Sequence, residues 1–310
     1  MKKLQEYLRE AKNSHYAIGH INFATEDVLR AIVEASIQED APCVLVGTSE
    51  GEAEFFGVRE AVAVVKAMRE HFNFPVFLNA DHFKSFDKCK EAIDAGYDSV
   101  IIDPAQSLSA DRQKKGQTLS GASTSIYDEK IAITKKTVEY AKSINPDITV
   151  EGELGYLKGS SEVQQKVEIS VEDYTKPEMA RDFVSKTGVG RLAVVFGNIH
   201  GIVTEQEEKL DVEHFKKIVS VVAACLPAGR EVDYVLHGAS GLADQDVRAA
   251  IQAGINNVHF NTELRVAYQH SIAKTLQEKP KETTPYKYLG PADEEVKKVV
   301  SAKIKMFMGN

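Results

Sequence analysis

The chain has 310 residues, of which 43% are hydrophobic and 27% are charged, an ordinary composition for a soluble globular protein. Its net charge of -8 argues against a surface that binds nucleic acid or anionic lipid, although a local site could still bind a small anion. There is no long apolar run and no signal-peptide pattern, and the three cysteines are scattered, so we expect a cytoplasmic protein without membrane partners or disulfides.

Short apolar segments alternate along the chain with segments that carry apolar residues at helical spacing. After an N-terminal helix, strands are predicted at residues 17–23, 43–47, 76–80, 99–103, 148–153, 191–196, 232–236 and 257–261. Eight strand–helix repeats predict a (β/α)8 TIM barrel, with residues 1–310 forming a single domain. A doubly wound open sheet is the alternative, but no GxGxxG follows the first strand.

Two long segments interrupt this alternation. Residues 104–126 are rich in Ser, Gly and Gln and follow the fourth strand, and residues 155–177 follow the fifth. Both come after the carboxyl end of a strand, the face where the active sites of such barrels lie. We therefore predict a long loop or lid at 104–126 and a mobile loop at 155–177.

Polar residues follow the apolar part of each predicted strand, and three histidines are among them. A lone histidine at such a place is more often a hydrogen-bonded structural residue. However, His82, His200 and His237 would meet on one face of a closed barrel, and three imidazoles with an open position are typical of catalytic zinc. His20 lies within the first strand, and the absence of an HxH pair there argues against an amidohydrolase-type metal site.

A glycine-rich segment, "HGASG" (237–241), follows the seventh strand and precedes a helix predicted to begin near residue 242 or 243. Glycines let the backbone approach an anion, and a helix N-terminus offers free N–H groups. The segment "NTELR" after the eighth strand, with Asn261 and Thr262, is a second helix start. Loops after strands seven and eight often form phosphate sites in TIM barrels, so we predict one here; a glycine turn with a serine cap is the alternative.

Five motifs, found in order along nearly the whole chain, resemble the class II, metal-dependent fructose-bisphosphate aldolases and the related tagatose-bisphosphate aldolases. They are "NADHFKS" (79–85), "VEGELG" (150–155), "GNIHG" (197–201), "LHGASG" (236–241) and "KYLGPADEEVKKVVSAKIKMF" (287–307). The resemblance implies a homodimer or homotetramer that reversibly cleaves fructose 1,6-bisphosphate, a sugar phosphate, to dihydroxyacetone phosphate and glyceraldehyde 3-phosphate.

The resemblance also implies roles for individual residues. It gives each subunit one catalytic Zn2+ held by His82, His200 and His237, with Glu153 able to visit the metal. Asp81 would exchange a proton with the C4 hydroxyl, and a glutamate of the 155–177 loop, for which Glu162 is our candidate, would move the C3 proton. The substrate and its phosphate, with room for a monovalent cation (Na+ or K+), would lie on Asn22, Ser49, Gly201, Gly238, Ser240, Asn261 and Thr262.

The chemistry agrees with this resemblance. Cleavage between C3 and C4 of a ketose leaves a carbanion next to a ketone, which a Lewis acid stabilises. The predicted strand ends carry no lysine that could form a Schiff base with the ketone instead.

The chain departs from the family pattern at several positions, two of which would meet phosphate. Thr204 replaces a lysine, Tyr286 replaces an arginine that reaches over from a neighbouring subunit, and His259 and Asn261 replace an asparagine and an aspartate or alanine. Two cations are therefore missing, which leaves the identity of the substrate open.

Two hypotheses follow from these departures, and a third alternative comes from another functional class. One hypothesis is that Arg112, Lys114 and Lys115 of the 104–126 loop replace the missing cations, although a solvated charge cluster is the simpler interpretation. A second is that the substrate is tagatose bisphosphate or another ketose phosphate with a different far end. A third is a non-catalytic, metal-stabilised barrel that binds sugar phosphates, which Asp81 argues against, because a structural zinc needs no adjacent free carboxylate.

Overall fold

The computed structural model describes residues 2–104, 123–155 and 157–309. In these residues, eight parallel strands close into a barrel with helices between them, which confirms the predicted (β/α)8 fold. The barrel strands are β1 (Ile18–Asn22), β2 (Val44–Ser49), β3 (Val76–Phe83), β4 (Ser99–Ile102), β5 (Thr149–Leu154), β7 (Arg191–Val194), β9 (Asp233–Leu236) and β10 (Ile255–His259). Their order around the barrel is β1-β10-β9-β7-β5-β4-β3-β2.

The helices lie between successive strands and at the two ends of the chain. They are α1 (Leu4–Asn13), α2 (Glu26–Gln38), α3 (Glu50–Phe56), α4 (Val58–Phe72), α5 (Phe86–Ala95), α6 (Ser123–Ile144), α7 (Pro177–Thr187), α8 (Val212–Ala223), α9 (Asp244–Gln252), α10 (Thr262–Glu278) and α11 (Pro285–Met308). A 3-10 turn covers Val171–Asp173. None of the helices in the described ranges is long and apolar enough to cross a membrane.

Two short strands outside the barrel were not predicted. β6 (Gly159–Gln164) lies within the segment predicted as a mobile loop, and it pairs in parallel with β8 (His200–Val203). This pairing carries residues of the 155–177 segment to the carboxyl end of the barrel. The other predicted loop, with Arg112, Lys114 and Lys115, falls largely outside the described residues.

Apolar side chains separate the barrel from its helices, whereas the inside of the barrel contains buried polar and charged side chains as well as apolar ones. The barrel strands are almost continuously buried, as expected of a parallel sheet covered by helices. At the amino-terminal ends of the strands, Leu4 and Leu8 of α1 pack with Leu45 and Phe77. Burial of each of these side chains contributes about 1.5–3 kcal/mol. Inside the barrel the wholly buried side chains include the polar residues Arg191, Glu151, Asn79, Ser99 and Asn257.

Asp27 of α2 and Asp293 of α11 form a carboxyl pair where these two helices pack. The carboxyls are hydrogen-bonded to each other, and the Tyr268 hydroxyl donates to Asp27 over 2.8 Å. Burial and the adjacent Asp27 raise the pKa of Asp293 to about 7. The folded chain therefore holds a proton that the unfolded chain has released, and the stability that this contributes is lost as the pH rises towards 7.

Replacement of Asp293 with asparagine is expected to stabilise the protein at pH 8, where the wild-type pair carries two charges, and to have less effect at pH 5. Because the pair is partly exposed, we expect only about 1 kcal/mol, or roughly 2 °C in Tm. Thermal unfolding at both pH values measures the difference. Glu70→Gln, at an exposed acid on α4, serves as the control, and an equal gain at both pH values would show that the Asp293 carboxyl is not shifted.

Candidate active site

A cavity of about 540 Å³ opens at the carboxyl ends of the barrel strands. The residues predicted for the metal and proton transfer that line it are Asp81, His82, Glu153, His200 and His237. Those predicted for substrate and phosphate that line it are Asn22, Ser49, Gly201, Gly238, Ser240, Asn261 and Thr262. Glu162 differs: it is exposed on β6 and is not among the described residues of the wall.

The backbone at Asp81 and His82 is irregular. Successive side chains of a regular strand point to opposite faces, so only one of these two would face the cavity. The pairing of β3 with β4 shifts between Ala80 and Phe83, and His82 has a φ of 52°, an uncommon left-handed conformation for a residue other than glycine. This bulge lets a carboxylate and an imidazole that are adjacent in the sequence line the same cavity.

The three predicted metal ligands converge in this cavity. His82, His200 and His237 each offer a ring nitrogen, and these atoms lie within 4.8 Å of one another. The Glu153 carboxylate approaches them, with Oε2 3.2 Å from His82 Nδ1 and 3.9 Å from His237 Nδ1. The Asp81 Oδ1 atom lies 3.9 Å from His82 Nε2. Imidazole and carboxylate groups at these distances can hold a divalent cation.

The hydrogen bonding of His237 tests whether these residues fit a metal. Its Nε2 lies 2.7 Å from Glu151 Oε1 and donates to that carboxylate, which is wholly buried and paired with Arg191 Nη1 at 3.1 Å. The Nδ1 atom therefore carries a lone pair, and it is buried without a hydrogen-bond partner in the described residues. A histidine oriented by a carboxylate, with its other nitrogen bare, is the usual arrangement of a metal ligand, so the residues fit zinc.

The charges around the cluster also favour a cation. Burial alone would lower the pKa of His82, but the carboxylates of Asp81 and Glu153 outweigh it and hold the pKa well above its ordinary value. Burial and the charge of His82 lower the pKa of His200 to about 4. For Asp81, burial is outweighed by His82 and His20, and the pKa falls to about 2. The carboxylates are thus ionised and concentrate negative charge around the histidines.

Asp81 is held on one side and open on the other. Asn22 Nδ2 donates to Asp81 Oδ2 over 2.8 Å and to Glu52 Oε2 over 2.9 Å. Ser49 caps α3, where its backbone N–H donates to Glu52, and this capping fixes the glutamate that shares Asn22. The other Asp81 oxygen, Oδ1, is buried and has no hydrogen-bond partner in the part of the chain that is described. A substrate hydroxyl could donate to this free oxygen.

The opposite wall offers backbone groups to an anion. Gly238 has a φ of 68°, and a Cβ there would lie 2.0 Å from the Ile199 carbonyl oxygen, so the close approach of these two segments requires glycine. Helix α10 begins at Thr262, and its first turn opens towards the cavity. Arg265 of the same turn also lines the wall and donates to Ser161 Oγ of β6 over 3.0 Å. Thr204 is exposed and is not among the wall residues described.

The sequence interpretation missed several buried residues beneath the cavity. Arg191 and Glu151 were read only as parts of strands, although they lie opposite each other in the pairing of β5 with β7. His20, to which no role was given, is buried and lines the cavity. Its ring stacks on His259 with 3.8 Å between centroids, and His259 stacks on His237 at 4.2 Å. The sequence signal that could have identified these residues is a charged or imidazole side chain within an otherwise apolar strand segment.

Comparisons with known proteins agree with this geometry. A family model described as fructose-bisphosphate aldolase class-II matches residues 2–310. The fructose-bisphosphate aldolase of Staphylococcus aureus is 36% identical over 307 residues, which is 98% of this chain and 96% of that protein. The fructose-bisphosphate aldolase of Geobacillus stearothermophilus is 31% identical over 309 residues, with the same coverage of both chains.

Solved structures show the same fold. The YdjI aldolase of Escherichia coli K12 superposes with a TM-score of 0.74 at 25% identity, over 99% of this chain and 96% of that one. The fructose-bisphosphate aldolase of Campylobacter jejuni superposes with a TM-score of 0.74 at 18% identity, over 98% and 93% of the two chains. At these identities the superpositions support the barrel, and the sequence matches carry the relationship.

Proposed function

Because the chain belongs to the class-II fructose-bisphosphate aldolase family, we propose that it is a zinc-dependent aldolase that reversibly cleaves fructose 1,6-bisphosphate to dihydroxyacetone phosphate and glyceraldehyde 3-phosphate. The observation that carries this proposal is that His82, His200, His237 and the free Oδ1 of Asp81 face one cavity. A site that only holds a structural metal would not need an ionised, partner-free carboxylate beside its ligands.

His82, His200 and His237 would hold the zinc ion, and Glu153 lies close enough to exchange with one of them. When bound, zinc supplies a Lewis acid for the negative charge that C3–C4 cleavage leaves beside the ketone, an effect of several kcal/mol. Glu151 and Arg191 would keep His237 in the tautomer that leaves Nδ1 free.

Asp81 would take the proton of the C4 hydroxyl. Its low pKa keeps it ionised at neutral pH, and Asn22 occupies only Oδ2, so Oδ1 remains free to accept. A general base must come within about 3 Å of the hydroxyl oxygen, and the cavity gives a substrate access to that atom. In condensation, the same carboxyl would return the proton.

One phosphate would bind to backbone N–H groups near Gly201, Gly238 and Ser240 and to the first turn of α10, with a monovalent cation possible beside it. Glu162 stays only a predicted C3 base, because it is exposed on β6 and is not among the described residues of the cavity wall.

A second candidate is an aldolase for tagatose bisphosphate or another ketose phosphate whose far end differs. The observation that favours it is the exposure of Thr204 and Tyr286, at positions where the resemblance would place phosphate-binding cations. Arg265 is a cation that the cavity wall does provide, and it could bind either a phosphate or a carboxylate.

Cleavage should depend entirely on the metal. We expect a chelator to abolish cleavage of fructose 1,6-bisphosphate and added zinc to restore it. The prediction that the strand ends carry no lysine was wrong, because Lys84 directly follows β3 and lines the cavity. It is exposed, however, and we expect it to form no Schiff base with the ketone. Coupled assays with and without chelator measure this dependence. Borohydride added with substrate should leave the enzyme active, and inactivation would instead indicate a Schiff base.

The same assay distinguishes the candidates when fructose 1,6-bisphosphate, tagatose 1,6-bisphosphate and fructose 1-phosphate are compared. Fastest cleavage of the monophosphate would show that the far-end phosphate site is absent. Tight zinc binding without cleavage of any ketose phosphate would support the non-catalytic barrel and overturn the proposed function.

A further inference from the structure

We propose that His259 is a specificity-determining residue whose Nδ1 accepts a hydrogen bond from a second substrate hydroxyl, on the carbon next to the one whose hydroxyl Asp81 deprotonates. The inference rests on the proposed aldolase function. It starts from a pair of acceptors on the cavity wall: His259 Nδ1 lies 3.9 Å from Asp81 Oδ1. This spacing suits two hydroxyls on adjacent carbons, each of which donates to one acceptor.

The tautomer of His259 follows from its neighbour Asn257. Asn257 Nδ2 donates to the Ile18 carbonyl over 2.8 Å, so its Oδ1 must face Arg191 Nη1 at 2.9 Å and His259 Nε2 at 3.2 Å. An amide oxygen only accepts, and therefore His259 Nε2 carries the proton. Because the neutral ring has a single N–H, Nδ1 presents a lone pair to the cavity.

His20 is fixed in the opposite state through the same arginine. Arg191 Nη2 donates to Asn79 Oδ1 over 3.0 Å, which leaves Asn79 Nδ2 to donate to His20 Nε2 over 3.1 Å. The N–H of the neutral His20 ring is thus on Nδ1. The two stacked rings that line the cavity are therefore in opposite tautomers.

These tautomers decide whether the cluster of His20, Asp81 and His259 fits a metal ion or a hydrogen-bonding group of the substrate. His20, Asp81 and His259 have polar atoms within 4.8 Å of one another, a grouping that could also suggest a second metal site. A metal needs a bare nitrogen from each imidazole, and His20 uses its bare Nε2 to accept from Asn79. The cluster therefore fits a neutral, hydrogen-bonding group in place of a cation.

The position of Asp81 indicates which half of the substrate His259 contacts. Asp81 lies between two groups of histidines. Its Oδ1 atom is 3.9 Å from Nε2 of His82, one of the predicted metal ligands, and 3.9 Å from Nδ1 of His259, which groups with His20. The ketone half would lie at the metal ligands. His259 would then contact the aldehyde half, at the hydroxyl next to the new carbonyl carbon.

Nitrogen NMR of the zinc-loaded, 15N-histidine-labelled protein tests the tautomer directly, whatever the protein catalyses. We expect the His259 signals, identified by their loss in His259→Phe, to show a protonated Nε2 and an unprotonated Nδ1. Asn257→Leu should shift the population towards the Nδ1–H form. A protonated Nδ1 in the wild type would overturn the inference, and His259→Gln gives the same assignment if His259→Phe does not fold.

Aldol condensation tests the contact with substrate. Lactaldehyde and propanal differ only in the hydroxyl beside the carbonyl, so their ratio of kcat/KM with dihydroxyacetone phosphate isolates that group. We expect the wild type to prefer lactaldehyde by about tenfold or more, and His259→Phe to bring the ratio within about threefold of one. His270→Phe, at an exposed histidine of α10, should keep the preference.

The outcomes of the two experiments separate this inference from the proposed function. An unchanged ratio in His259→Phe, or no preference in the wild type, would overturn the role of His259 in an active aldolase. No condensation with any aldehyde would overturn the proposed function and the substrate contact with it, while the NMR result would still decide the tautomer.

Discussion

Replacing Asp81 with asparagine is expected to lower kcat for ketose-phosphate cleavage by about 10²–10⁴-fold while zinc stays bound. The amide has nearly the same shape, but it cannot take a proton. Asn22 donates to Oδ2 in the wild type, so the new amide oxygen would face Asn22 and its NH2 group would face the cavity. The C4 hydroxyl would then meet a donor where it needs an acceptor.

Steady-state kinetics and the metal content of the same preparation together check this prediction. His237→Ala is the informative contrast, because it removes a predicted ligand and should lose both zinc and activity. Asp87→Asn, at an exposed acid in the first turn of α5, is the matched control and should change neither. If the Asp81 variant kept more than about a tenth of its activity, another group would have to be the base.

The barrel and the three histidines could be predicted because both depend on simple patterns. Short apolar segments that alternate with longer segments of helical spacing favour a parallel barrel. A barrel brings strand ends together wherever they lie in the sequence. His82, His200 and His237 follow three different strands, and that was enough to place them at one end. Barrel closure brings these strand ends together, and the ring nitrogens of the three histidines lie within 4.8 Å of one another.

The orientation of Asp81 and His82 could not be predicted in the same way. Strand periodicity assigns them to opposite faces, and no glycine marks the left-handed residue, which is His82 itself. The cost of that backbone must be met by the surrounding pairing of β3, which no local pattern reveals. The predicted residues other than Glu162 line one cavity, but no sequence pattern accounts for how the side chains of Asp81 and His82 both reach it.

Buried charge inside the barrel was missed for another reason. A barrel interior tolerates Arg191, Glu151 and His20 only because polar partners from distant strands meet them there. Their roles can therefore be assigned only when the pairing register of the strands is known. Sequence patterns indicate chemistry past the strand ends, whereas an apolar strand segment by itself predicts only burial. The hypothesis that Arg112, Lys114 and Lys115 replace missing phosphate contacts lies outside the described residues and stays a prediction.

Replacing Arg191 with methionine is expected to destabilise the protein by about 3–5 kcal/mol, because the wholly buried Glu151 would lose the cation that compensates its charge. Arg191 also donates to Asn257 and Asn79, and these amides would lose the partner that orients them. The double variant Glu151→Gln/Arg191→Met should be more stable than Arg191→Met alone, since it removes the isolated charge. Denaturant unfolding of the wild type, Arg191→Met, Glu151→Gln and the double variant at pH 7 gives the coupling energy.

The Arg191→Met variant should also bind zinc about tenfold or more weakly, because Arg191 acts on the metal through Glu151 and His237. Without the arginine, burial favours a protonated Glu151, which could no longer accept from His237 Nε2 and fix Nδ1 as the bare nitrogen. Competition with a chelator measures this affinity, and Arg59→Met, at an exposed arginine of α4, is the control. Loss of stability with unchanged zinc affinity would make Arg191 a purely structural residue, whereas loss of both ties the polar barrel interior to the histidine cluster above it.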